Sequence, residues 1–218
     1  MRERPIIFSS EMIRAILKEK KTQTRRPIKP QPHPEAFSIN HHRHIEKGDY
    51  VTWINPFGEA ICPYGKPGDR LWVKETWRII SLDGLLQARK VEYKADRKMK
   101  EFYHDSMFNI HESGDWPPSA WGYGDSFKDI RWCSPFFMPR WASRITLEII
   151  NIRIERLQEI DPMDALHEGC HIDWSIENCP EKQFQRVWDS IYAKKGFGWD
   201  KNPWVWVIEF RRLSLIHI

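Results

Sequence analysis

The segment Trp204–Phe210 reads WVWVIEF and is apolar on both faces of a strand except at Glu209. Such a strand has no face to give to water, so it is central in a sheet and the rest of the chain must supply its cover. A second long signal, Arg144–Leu157 (RITLEIINIRIERL), is enriched in β-branched residues and predicts one long or bent strand. Asp161 followed by Pro162 predicts a helix start, with aspartate as the cap and proline at the first helical position, and Gly169 supplies the stop. A further helix over Glu181–Lys195 places Phe184, Val187, Trp188 and Ile191 on one face and ends at Gly196.

The N-terminal half is less regular. Ile13, Ile16 and Leu17 recur at helical spacing behind Ser9 or Ser10, which predicts a short amphipathic helix over Ser10–Lys20. That helix must stop before Arg26, because Pro27 disfavours helical geometry in the residue before it. The four prolines of Pro27–Pro34 make a stiff extended connector. Tyr50–Ile54 alternates like a strand, Asn55–Asp69 is rich in turn formers, and Arg70–Trp77 reads as another strand introduced by the Pro67-Gly68-Asp69 turn. From about 78 to 133 the pattern weakens into a basic stretch and a run rich in Gly, Pro and Ser, which predicts a large loop-rich insertion. The order of elements is that of an α+β chain, a small mixed barrel or curled sheet with helices packed around it. At 218 residues one domain over 1–218 is expected, with that insertion inside it.

Composition narrows the function classes. No stretch approaches the roughly 18 to 20 uninterrupted apolar residues of a membrane span, and the start MRERPIIFSS lacks the apolar core of a secretory signal. No membrane partner and a cytoplasmic location are therefore expected. Cys62, Cys133, Cys170 and Cys179 form no C-x-x-C pair and read as reduced thiols; Cys170, His171 and Cys179 have zinc-compatible chemistry, but their spacing is not that of a standard site, and no metal is assigned. A net charge of +4 is a mild bias, whereas the bases Arg14, Lys18, Lys20, Lys21, Arg25, Arg26 and Lys29 face Glu19 alone and create a local positive field. Twelve tryptophans suit a small core filled by large rings, and a few can stack on a base instead.

No P-loop, G-x-G-x-x-G, H-E-x-x-H or G-x-S-x-G string is present. What remains is Lys20-Lys21-Thr22-Gln23-Thr24-Arg25-Arg26. A threonine hydroxyl becomes a nucleophile when a neighbouring base takes its proton, and a lysine is that base when burial or adjacent cations lower its pKa. Lys21 and Thr24 are three residues apart, neighbours in a helical turn but on opposite faces of a flat strand, so the pairing calls for a turn.

Together, KKTQTRR after a short helix, GKPGDRLWVKETW, RITLEIINIRIERLQEIDPMDALHEG and the closing WVWVIEF resemble the ASCH domain of the PUA-like superfamily, most of all the longer ASCH proteins of tailed phages and prophages. The resemblance covers about residues 5–30, 47–77 and 138–212. It implies a small β-barrel with flanking helices and a cleft for a nucleobase or nucleic acid. One branch of the family, the N(4)-acetylcytidine amidohydrolases, removes an acyl group from the exocyclic amine of cytidine using a lysine and a threonine in a K-T-x-T-x-R string and a later glutamate. Carried over by motif, the lysine falls on Lys21, the threonine on Thr24 and the arginine on Arg26, and by helix position the glutamate falls on Glu168 at the end of DPMDALHEG; the chemistry needs no cofactor. Glu75, flanked by Trp72 and Trp77, is a second carboxylate, and these three are candidate substrate contacts with Arg26. The expected function is an amidohydrolase acting on an acylated cytosine nucleoside or related modified base. The alternatives are an RNA- or DNA-binding, even nucleolytic, module without deacylase activity, and a phage assembly protein with an unused pocket.

Overall fold

The computed structural model describes residues 1–31, 52–55, 58–82, 88–103, 131–171 and 179–213. Its strands and helices are β1 (Glu3–Ile7), α1 (Ser10–Leu17), β2 (Gln23–Pro27), β3 (Thr52–Asn55), β4 (Gly58–Ile61), β5 (Arg70–Lys74), β6 (Trp77–Leu82), β7 (Ala88–Tyr93), β8 (Met99–Tyr103), β9 (Thr146–Arg156), α2 (Pro162–His167), α3 (Pro180–Tyr192) and β10 (Trp204–Leu213). The class is α+β. A five-stranded sheet has the order β1-β5-β9-β10-β2, β3 and β4 form an antiparallel hairpin, and β6, β7 and β8 form a meander. Among the described residues none of these sheets closes on itself.

The chain falls into two compact units, one made of 1–4, 15–71 and 147–218 and the other of 5–14 and 72–146. In the first, β10 lies between β9 and β2, the interior position that its two apolar faces demand. Its antiparallel register with β2 sets Trp206 opposite Arg26, Val207 opposite Arg25 and Ile208 opposite Thr24. Val205 and Val207 pack with Leu157, Phe184, Trp188 and Tyr192 in one core cluster, which seats α3. Each such side chain contributes about 1.5 to 3 kcal/mol by leaving water.

Two helix ends set the geometry of the site. α1 stops at Leu17, three residues short of the expected Lys20. The Glu19 N–H bonds to the Ile16 carbonyl and the Lys20 N–H to the Ala15 carbonyl, while Glu19 takes a left-handed φ of 58°. α2 ends the same way: the Gly169 N–H bonds to Leu166 and the Cys170 N–H to Ala165, with Gly169 at φ 95°. Both are Schellman ends, in which crossed bonds satisfy the last carbonyls. The start of α2 is as expected, with the Asp161 side chain accepting from the Asp164 N–H and Pro162 in the first turn.

In the second unit the structure departs from the expectation of little regular structure after Arg78. The stretch 77–103 carries β6, β7 and β8, paired antiparallel throughout. Trp77, Ile79, Val91 and Tyr93 form its core with Cys133, Met138 and Ala142. Charged residues interleave with these apolar ones, so the two-residue period reads along the chain as a merely basic stretch. The strand expected over Arg70–Trp77 is likewise two strands, because Glu75 and Thr76 leave the ladder: the Glu75 N–H bonds to Met138 Sδ and the Thr76 carbonyl accepts from Lys94. Tyr50 and Val51, the start of another expected strand, lie outside the described residues.

Gly169 supplies a test of the helix-end packing. A Cβ there would stand 3.0 Å from the Ala15 Cβ and 3.3 Å from the Lys21 Cβ, at a φ that side chains disfavour. Gly169→Ala is expected to lower unfolding free energy by about 1 to 3 kcal/mol in denaturant titrations; an unchanged midpoint and slope would show that the two helix ends do not need this close approach.

Candidate functional site

The chain leaves the end of α1 at Lys21 and passes the end of α2. The Thr22 N–H bonds to the His167 carbonyl, and Lys21 and Glu168 form an isolated antiparallel bridge. This backbone pairing sets their side chains against each other. Lys21 Nζ donates to Glu168 Oε2 at 2.5 Å and to the Glu168 carbonyl at 2.8 Å, with side-chain exposures of 0% and 4%. The carbonyl belongs to the last turn of α2, whose dipole favours a cation there. Burial lowers the Lys21 pKa; Glu168 opposes that shift and Arg26 adds to it.

Around this pair lies a web of charges drawn from β2, β9, α2 and β10. Arg25 Nη1 is 3.6 Å from Glu168 Oε1, while Arg25 Nη2 donates to Asp164 Oδ2 at 2.5 Å and Glu155 Oε2 at 3.0 Å. Arg153 holds both Asp164 oxygens and also pairs with Glu155 and Glu209. With its amide oriented to suit its neighbours, Gln23 donates to Asp164 and accepts from Arg25. The signal for Asp164 lies in DPMDALHEG, where it stands four residues before Glu168 and so on the same helical side. The Cys170 thiol, close to the pair, is pushed up to about 11 by burial and then by the Glu168 charge, so it stays protonated at neutral pH.

Thr24 is buried at 2% exposure within β2. The helical turn that the sequence reading called for between Lys21 and Thr24 is not formed, because Gln23–Pro27 takes up the open ladder of β10. Strand alternation puts Thr24 on the face of Arg26, and Gln23 and Arg25 on the other. Arg26 Nη1 donates to the Tyr192 hydroxyl at 3.1 Å. Tyr192, Tyr64 and Trp206, with Pro27, Pro63 and Lys29, line a recess of about 240 Å³. Lys21, Thr24 and Glu168 are not among the recess residues; the Arg26–Tyr192 hydrogen bond ties to the recess a cation whose charge acts on Lys21 and Glu168. The three rings come from three separate segments with no shared motif, so no local pattern in the chain marks them as neighbours.

Trp72, Glu75 and Trp77 belong to the second unit. Both Glu75 oxygens are held by Arg144, at 2.8 and 2.9 Å, and Arg144 also bonds Asp96. Trp77 is wholly buried and meets Trp141 edge-on at 6.2 Å, a packing role rather than the substrate contact expected of it. Trp72 is half-buried, with the Lys74 ammonium 5.2 Å from its ring centre. Among the described residues there is no cluster of three or more His, Cys, Asp or Glu able to hold a metal ion, and no helix is long and apolar enough to cross a membrane. Compared with family models, curated proteins and solved structures, the chain matches none.

The charge web carries a pH signature. Burial works against the Asp164 carboxylate, but the hydrogen bonds and charges of Arg25 and Arg153 hold its pKa below the usual aspartate range. A depressed folded pKa contributes stability that is complete above the unfolded value and is lost as pH falls through the folded one. Asp164→Asn is therefore expected to melt below the wild type at about pH 6, with the gap narrowing as pH falls below about 4. A gap independent of pH in thermal melts would mean that the ionised carboxylate is not what the arginines hold.

Proposed function

We propose that this protein is an amidohydrolase that removes an acyl group from the exocyclic amine of a cytosine nucleoside or a related modified base, with a PUA-like fold of the ASCH kind, working in the cytoplasm. The observation that carries the reading is the buried Lys21–Glu168 pair: two residues 147 positions apart, assigned to one site by resemblance alone, share a 2.5 Å contact. Burial also gives Lys21 the property a general base requires, since a lowered pKa leaves more neutral amine near working pH.

In this reading the Thr24 hydroxyl oxygen attacks the acyl carbon, and its proton passes to Lys21 Nζ; Lys21 lies outside β2, in its bridge to Glu168, so the alternation of that strand does not fix its side chain on the face opposite Thr24. The resulting oxyanion collapses, the C–N bond breaks, and the cytosine amine leaves with the proton returned by Lys21. Water then hydrolyses the acyl-threonine ester, releasing the carboxylic acid and restoring Thr24. Glu168 acts through Lys21, fixing its amine by the Oε2 contact. Arg26 is the nearby cation suited to the developing oxyanion, and the rings of Tyr64, Tyr192 and Trp206 suit a flat heterocycle.

The test is incubation with N(4)-acetylcytidine and chromatography of the products. Cytidine and acetate are expected from the wild type, none above background from Thr24→Ala, and partial activity from Thr24→Ser. Glu168→Gln should lose about 10²- to 10⁴-fold. The wild-type rate should rise with pH as the Lys21 amine loses its proton. Full turnover by a folded Thr24→Ala protein would remove threonine from the role of nucleophile, and inactivity of the wild type on a panel of N(4)-acylated nucleosides would reject the reading.

A further inference from the structure

The guanidinium of Arg25 spans two carboxylates of α2. Asp164 and Glu168 stand one turn apart, the Glu168 N–H bonding to the Asp164 carbonyl at 2.9 Å, so their side chains leave the same side of the helix. The Arg25 side chain that meets them is wholly buried. Its Nη2 donates to Asp164 Oδ2 at 2.5 Å and to Glu155 Oε2 at 3.0 Å, and its Nη1 donates to the Gln23 amide oxygen at 2.5 Å. Acceptors from α2, β9 and β2 thus fix the plane of the fork. Held so, Nη1 faces Glu168 Oε1 at 3.6 Å, a charge contact longer than a hydrogen bond. Among the described residues that oxygen accepts no hydrogen bond, while Oε2 takes one from Lys21.

One carboxylate therefore serves two cations, each through its own oxygen, and the charge of Arg26 acts on both Lys21 and Glu168. A carboxylate shared in this way stabilises each partner less than it would stabilise one alone. Guanidinium groups do not give up a proton inside proteins, so a positive charge in excess of what Glu168 can hold is shed by Lys21. The surrounding charges have other partners. Asp164 and Glu155 are shared between Arg25 and Arg153, and Arg153 also pairs with Glu209 of β10. Beyond the end of α1, Glu19 pairs with Arg212 on the outside, and α3 contributes the Tyr192 hydroxyl that accepts from Arg26. The Cys170 thiol, pushed up to about 11, stays protonated at neutral pH.

We propose that Arg25 is the positioning residue for the base Lys21: fixed by Asp164, Glu155 and Gln23, it holds the second oxygen of Glu168 and draws off part of the charge that would otherwise keep Lys21 an ammonium. Arg25 touches no reacting atom, since strand alternation turns it away from Thr24 and Arg26. The catalytic consequence rests on the deacylase reading; the effect on Lys21 itself does not. The role also accounts for a costly feature of the first unit, a wholly buried arginine whose fork is spent on α2 and β9 and not on the recess.

The test is heteronuclear NMR of the lysine side chains across a pH series, with the Lys21 signal assigned by its loss in Lys21→Arg. Without the guanidinium, the whole Glu168 charge favours the ammonium form, so in Arg25→Gln the Lys21 titration midpoint should rise by about one pH unit. Arg25→Lys, which keeps a cation there, should stay near the wild type. Because Arg25→Gln leaves Asp164 and Glu155 short of a partner, the double variant Arg25→Gln/Asp164→Asn is measured beside it and should shift in the same direction; circular dichroism checks that each is folded. In the kinetic arm, the acidic limb of kcat/KM for N(4)-acetylcytidine should move up with the midpoint, lowering activity about tenfold near neutral pH and restoring it on the alkaline plateau. A merely structural role would lower the rate at every pH and leave the limb in place. An unmoved Lys21 midpoint in folded variants lacking Arg25, or an Arg25→Lys midpoint as high as that of Arg25→Gln, would overturn the proposal. A wild type that turns over no acylated nucleoside would reject the deacylase reading alone, since the midpoint is read without substrate and still decides the role of Arg25.

Discussion

The Lys21 amine lies where side-chain exposure is zero, and the first unit is organised around satisfying it. Taking a cation out of water costs several kcal/mol even after relaxation, and close partners recover that only when the geometry is good. Here the recovery comes from Glu168 twice, through its carboxylate and through its main-chain carbonyl at the end of α2. That double contact depends on two helix ends meeting without intervening side-chain bulk. Gly169 meets the condition, because any Cβ at that position would push against both Ala15 and Lys21.

The charges behind the pair make it rigid. Glu168 is approached by Arg25, Arg25 is held by Asp164 and Glu155, and both of these are shared with Arg153. A buried ionic web is a poor way to gain stability compared with apolar packing of similar volume. It is a good way to keep one carboxylate oriented and one amine perturbed, which is the condition under which lysine does proton chemistry. At the aromatic recess Arg26 donates to the hydroxyl of Tyr192, and its charge acts on Lys21 and Glu168. Arg26 therefore has charge on one side and rings on the other.

In the second unit, acids and bases serve another purpose. Glu75 and Arg144 form a bidentate pair, and the Arg144 guanidinium lies 4.0 Å from the Tyr93 ring centre, so the carboxylate that looked like a site residue holds the loop after β5 to the meander. Glu92 does the same between Arg78 and Arg97, both of which also approach the ring of Trp132.

The elements whose identity is local could be read from the chain alone. WVWVIEF has two apolar faces and can only be interior, the Asp161-Pro162 cap and the Gly169 stop delimit α2, and the β-branched run around 146–156 becomes β9. Lys21 stands in a short motif, whereas Glu168 is a candidate through the family resemblance and its place at the end of α2. Tertiary structure decided what those residues touch. Whether 21–24 would be turn or strand depended on the open ladder that β10 offers, a partner about 180 residues away and invisible to local propensity. The union of Lys21 with Glu168, the capture of Glu75 by Arg144 and the meeting of three rings in one recess each required contacts between distant segments, and long-range contacts leave no periodicity in a sequence.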